Sequence, residues 1–217
     1  MHRLRNYPVT LVLIGINLAL FLSEAMYNCF FGDSLFSELA LSREGLEGGA
    51  GWQLITHAFM HGNFLHLIVN MVAIWFTGPL LEELLGGFYY LLLFLGGAVA
   101  GGLLQTFVTP GSVNLVGASG AVCALLVGFA TLLPRLEITA LIFFVIPVRM
   151  HAFVLGWIVM VASLLFWLFG IEKGIGHLAH LGGGLAGFVI CLIYKAMGVV
   201  RPFQLEPPQI PRGPKVP

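Results

Sequence analysis

Long apolar runs constrain this chain more than any other feature. A helix needs about 20 mostly apolar residues to cross the hydrocarbon of a bilayer. Six stretches meet or approach that length: 8–28, 58–78, 88–108, 117–134, 150–169 and 177–197. Hydrophobic residues make up 59% of the 217, charged ones only 9%, and mean hydropathy is +0.97. A soluble domain is about one quarter charged. The expected class is therefore all-α: a polytopic membrane protein built as a six-transmembrane-helix bundle. The formal net charge is +0 and no run of Lys or Arg occurs, so nucleic acid is not an expected partner. Cys29, Cys123 and Cys191 are far apart, with no C-x-x-C pair and no disulfide framework.

The first run follows Met1-His2-Arg3-Leu4-Arg5 and resembles a signal peptide. It passes through Ala25-Met26 without a small-x-small cleavage site, so it reads as a retained helix. The long segment 29–57 carries Trp52, Arg43 and several acidic residues, and its pattern suits a membrane surface. Segment 138–147 is apolar but interrupted by Pro147 and followed by Arg149; it reads as a membrane-dipping loop. Residues 1–200 are expected to form one membrane domain. The Pro-rich stretch 201–217 is expected to be a disordered cytoplasmic tail.

Positive charge sets the expected orientation. With the N-terminus inside, Arg3, Arg5, Arg135, Arg149, Lys195, Arg201, Arg212 and Lys215 face the cytoplasm, and only Arg43 and Lys173 lie outside. The second, fourth and sixth runs then descend from the outer face. Each carries polar residues near its start: His57, His61, Asn63, His66 and Asn70; Ser119; His177 and His180. Polar side chains at membrane depth are rare and face a bundle interior or a wet cavity. Their common depth predicts one water-filled site opening outward.

His180, Gly183, Gly184 and Gly187 share one helical face, and Gly120, Ala124 and Gly128 form a second stripe beside Ser119. Such stripes let two backbones approach closely, and each also serves plain helix packing. Close approach would let a histidine act as base for a serine, whose hydroxyl is otherwise a poor nucleophile. The one aspartate, Asp33, lies in the long loop, and the sixth run has no acidic residue. The expectation is a Ser119–His180 dyad rather than a triad. Backbone amides at the helix start, with side-chain donors from His66 and Asn70, would meet an oxyanion. For Asn70 an interhelical packing bond is the competing role.

These motifs resemble the rhomboid intramembrane serine proteases. The resemblance rests on Gly117-Ala118-Ser119-Gly120, on Ala179-His180-Leu181-Gly182-Gly183 with Gly187, and on His66-x-x-x-Asn70. Gly78-Pro79-Leu80-Leu81-Glu82, placed after the second helix, resembles the family's Gly-x-x-x-Glu element. The resemblance implies that Ser119 is the nucleophile and His180 the base. It implies that His66, Asn70 and the Ser119 amide line the oxyanion hole. It implies a single-pass transmembrane protein as substrate, a lipid bilayer as surroundings, and no metal or other cofactor. Two positions depart from the pattern: Gln53 follows Trp52 where an arginine is common, and Cys123 stands where an aromatic residue often supports the histidine.

His57-x-x-x-His61 suits a zinc site, yet position 58 is alanine, which excludes the H-E-x-x-H metalloprotease pattern. Both histidines are expected to bond first-loop backbone. A transporter would show internal repeats and broken helices, and no clear repeat is present. An inactive client-binding relative would lack the serine or the histidine. The bulky fifth run is expected to pack loosely and to form a substrate gate with the second. A compact body of this kind fits a bacterial inner membrane.

Overall fold

The computed structural model describes residues 7–31, 34–109, 114–142, 146–171 and 174–202. Asp33, Lys173, Arg3, Arg5, Arg212, Lys215 and the tail beyond 202 lie outside these residues. The chain is mostly helical. Five helices are long and apolar enough to cross a membrane: α1 (Pro8–Phe31), α5 (Phe64–Leu85), α6 (Gly87–Val108), α8 (Ala152–Phe169) and α9 (His177–Ala196). The sixth expected span is α7 (Ser119–Leu132), which has only 14 residues. At about 1.5 Å per residue it is roughly 21 Å long, short of the ~30 Å hydrocarbon layer.

Centrality compensates for that shortness. α7 packs against α5, α6, α8 and α9, and most of its residues from Gly120 to Leu132 are buried. Small residues permit the close fit. A Cβ on Gly97 of α6 would strike Ala124, and one on Gly187 of α9 would lie 2.6 Å from the Ala124 Cα. α8 is the outlier, burying only Ala152, Gly156 and Ser163.

Between α1 and α5 the chain forms three short helices, α2 (Ser34–Leu39), α3 (Arg43–Glu47) and α4 (Gln53–Thr56), then a 3-10 turn at His57–Phe59. Backbone bonds tie this loop to the segment that leads into α7: Leu41 and Leu115 exchange N–H···O contacts of 2.9 and 2.8 Å. Arg43 Nη2 donates to the carbonyls of Thr106 and Phe107 at 3.2 and 2.9 Å, closing the end of α6.

Three expectations need correction. The second span starts at Phe64 and not at 58, because the 3-10 turn precedes it and Asn63 caps it: Asn63 Oδ1 accepts from the His66 N–H at 2.8 Å. It also runs on to Leu85, so Gly78-Pro79 lies inside the helix rather than after it. Membrane helices tolerate such a proline because packing neighbours compensate the lost bond. Glu82 is an acceptor for a distant helix. Its carboxylate accepts from the amides of Val9 and Thr10 at 3.0 and 2.9 Å and from Thr10 Oγ1 at 2.8 Å, capping α1.

The third correction concerns 138–147. It forms no dipping loop but a two-stranded antiparallel hairpin, β1 (Glu137–Ile142) with β2 (Ile146–His151), and the bundle is therefore not purely helical. The β-branched residues Ile138, Thr139, Ile142, Ile146 and Val148 suit extended backbone.

Candidate active site

Ser119 is the first residue of α7. Two residues earlier, Gly117 adopts φ +121°, a conformation that side chains with a Cβ rarely adopt. Its N–H donates to the His57 carbonyl at 2.8 Å, so the 3-10 turn holds the approach to α7 in place. Ala118 caps the helix without a side-chain bond. Among the described residues, the amides of Ser119, Gly120 and Ala121 meet no acceptor, while Val122 N–H bonds the Ala118 carbonyl at 2.8 Å. A helix start left open in this way is a ready binding site for negative charge.

His66 lies directly against this loop. A Cβ built on Gly117 would touch the His66 ring, with Nε2 at 2.6 Å, so only glycine leaves room for the imidazole. Asn70 stands one turn along α5 and is buried; its Nδ2 donates to the His66 carbonyl at 2.9 Å. An amide nitrogen carries two donors, so one remains beyond this bond.

His180 comes from α9. The stripe below it meets α7 backbone to backbone: a Cβ on Gly183 would lie 2.7 Å from the Gly120 carbonyl carbon. A Cβ on Gly120 would lie 3.3 Å from the Ala179 carbonyl oxygen. The residues next to Ser119 and next to His180 therefore meet at one helix crossing. Among the described residues no hydrogen bond joins Ser119 to His180. Such bonds often lengthen without substrate and tighten in the complex.

The support that Cys123 cannot give comes from another ring. His177 stands edge-on to His180, with centroids 6.0 Å apart. It is itself held by Phe166, at 5.5 Å, and by a bond from Nε2 to the Ile171 carbonyl of 2.9 Å.

Gln53 replaces the expected arginine without loss of anchorage. It is buried; its Oε1 accepts from Ser42 N–H at 3.2 Å and its Nε2 donates to the Glu38 carbonyl at 3.3 Å. The sequence reading missed this role because it looked for charge. Gln105 ties α9 to α6: its Oε1 accepts from the Ala179 N–H at 3.1 Å and its Nε2 donates to Thr109 Oγ1 at 2.8 Å.

The two outer histidines differ. His57 bonds loop backbone as expected, through Nδ1 to the Gln53 carbonyl at 2.7 Å. Burial drives its pKa from 6.5 down to about 4, against the opposing pull of that bond. His61 lies against the Phe59 backbone of the turn without a well-formed hydrogen bond. It is 2% exposed, neither ring nitrogen finds a hydrogen-bond partner among the described residues, and its ring stands 5.0 Å from that of His66. His57 and His61 form no metal cluster; among the described residues no three His, Cys, Asp or Glu side chains converge on one point.

Comparison with known proteins decides the family. The model of the Rhomboid domain matches residues 48–196. The chain belongs to the rhomboid family. Among its rhomboid relatives, Rhomboid protein 1, mitochondrial, of Saccharomyces cerevisiae is 31% identical over 84% of this chain and 53% of its own length. The putative rhomboid protease YdcA of Bacillus subtilis is 29% identical over 88% of this chain and 90% of its own. The rhomboid protease GlpG of Pectobacterium atrosepticum is 27% identical over 84% and 61%. The chain thus spans about half of the yeast rhomboid but nearly all of the Bacillus one. It is an integral, multi-pass rhomboid-family membrane protein, and the family includes serine proteases.

Proposed function

We propose that the protein is an intramembrane serine endopeptidase that cleaves the transmembrane segment of single-pass membrane proteins. The observation that carries this reading is the α7–α9 crossing, where Gly120 and Ala179, the chain neighbours of Ser119 and His180, meet. Ser119 Oγ attacks the substrate carbonyl while His180 takes its proton. The developing oxyanion sits at the open start of α7, facing the Ser119 amide, His66 and the remaining Asn70 donor. His180 then returns the proton to the leaving amine, and water hydrolyses the acyl-enzyme. Gly117, Gly120, Gly183 and Gly187 act by closeness alone.

The rest of the proposal follows from the charge pattern. Both termini lie in the cytoplasm, residues 1–200 form the catalytic domain, and the site opens outward near the substrate's outer end. A bacterial inner membrane is the assigned location. The chemistry described needs only these side chains and amides. A substrate helix must unwind locally before attack, so helix-breaking residues near the cleaved bond favour it.

The test is intact-mass analysis of the detergent-purified protein after exposure to a fluorophosphonate. One adduct on wild type, absent from Ser119→Ala and His180→Ala, supports a histidine-activated serine. No adduct on a folded wild type overturns the protease reading in favour of client binding without cleavage.

A further inference from the structure

The β1–β2 hairpin has a two-faced register. Glu137 pairs with His151, Thr139 with Arg149 and Leu141 with Pro147. Ile138 pairs with Met150, Ala140 with Val148 and Ile142 with Ile146. Directly opposed residues share a face and neighbours alternate. One face therefore carries Glu137, Thr139, Arg149 and His151, with Pro147 further along, and the other carries Ile138, Ala140, Ile146, Val148 and Met150. Burial follows the same alternation: Glu137, Thr139, Arg149 and His151 are exposed, whereas Ile138, Ala140, Val148 and Met150 are half-buried.

A two-stranded ribbon is marginal alone in water. Among the described residues the base is held, by Ile138 packed on the core and by the Ala152 N–H bonded to the Leu136 carbonyl at 2.9 Å. Towards the turn, Ile146 is 54% exposed. The ribbon joins α7 to α8, whose first turns already present Phe153 and Trp157 outward, 53% and 57% exposed. The apolar face is thus continuous with a lipid-facing surface. The ribbon cannot enter the hydrocarbon, because its two outer edges would leave N–H and C=O groups unpaired there. Arg135 and Arg149 are exposed and form no ion pair with a described residue.

We propose that this hairpin is a lipid-binding element: it lies flat in the headgroup layer, apolar face to the acyl chains, with Arg135 and Arg149 on anionic phospholipid phosphates. Cations near an anionic surface are attracted to it within about a Debye length. The element would fix the inner end of α8 in the membrane plane.

The test uses the full chain in vesicles, with a nitroxide on Ile146→Cys in a Cys29→Ala background; Cys123 and Cys191 are buried. Collision with oxygen well above collision with a water-soluble nickel chelate, as for a label on Trp157→Cys, supports the proposal. Nickel collisions dominating would overturn it. Both collisions low would overturn it too, in favour of a second copy covering the face. In phosphatidylcholine–phosphatidylglycerol vesicles, Arg135→Gln with Arg149→Gln should bring the label closer to water, with no change in phosphatidylcholine alone. An equal response in both lipids would overturn the headgroup assignment.

Discussion

A single residue, His57, links the loop to the site by three contacts. Its ring bonds Gln53, its carbonyl receives Gly117, and its Cε1 would lie 3.1 Å from a Cβ on Gly102. Such a buried imidazole must stay neutral. Its pKa falls from 6.5 to about 4 on folding, so the unfolded chain binds the proton first. Stability from this residue is intact above pH 6.5, declines as pH falls, and is fully lost near pH 4. The loss amounts to about 3 kcal/mol at most. Thermal unfolding in detergent from pH 7 to pH 4.5 should show Tm falling, and falling less steeply in His57→Gln. Parallel slopes would remove His57 from the account. At this scale the sequence was readable where chemistry restricts residue type: Ser119, His180 and His66 stand out as polar groups among apolar ones. Gln53 and Gln105 did not, because an uncharged amide announces no partner until the fold brings one.

At the scale of elements, the α7–α9 crossing depends on missing side chains. A methyl on Gly183 would overlap the Gly120 backbone, which cannot rotate away as a side chain can. Gly183→Ala should therefore cost roughly 1–3 kcal/mol and slow fluorophosphonate labelling several-fold, through a shifted His180. Leu185→Ala, at a position 54% exposed, should change neither. The spacing of these glycines was legible, since 3.6-residue periodicity maps directly onto a face. Helix ends were less so. Hydropathy alone moved the start of α5 back to 58, although Asn63 carried the capping signal. The hairpin escaped notice because a short run of Ile, Ala, Val and Phe serves a membrane loop and a strand equally.

For the whole molecule, burial is unevenly shared. α7 is enclosed on nearly all sides, while α8 leans on α7 and α9 through three buried residues. Few buried contacts mark a segment that opens at low cost. A substrate helix arriving sideways, as the proposed function requires, would enter beside α8. A disulfide linking α5 to α8 should abolish cleavage of a transmembrane substrate while leaving fluorophosphonate labelling intact, and reduction should restore it. Unchanged cleavage would place the entrance elsewhere. The helical class and multi-pass character were plain from composition. The shortness of α7 was not, because Gly117-Ala118 and Leu133-Pro134 are as apolar as the helix they flank.

The cap on α1 also orders events in time. Glu82 satisfies amides 72 and 73 positions upstream. At about 5–20 residues per second, a ribosome needs roughly 4–14 s to make that carboxylate after Thr10. Until then the leading amides of the first span lack this acceptor. Its cap is complete only when α5 arrives, so the first span to be made is finished by the second.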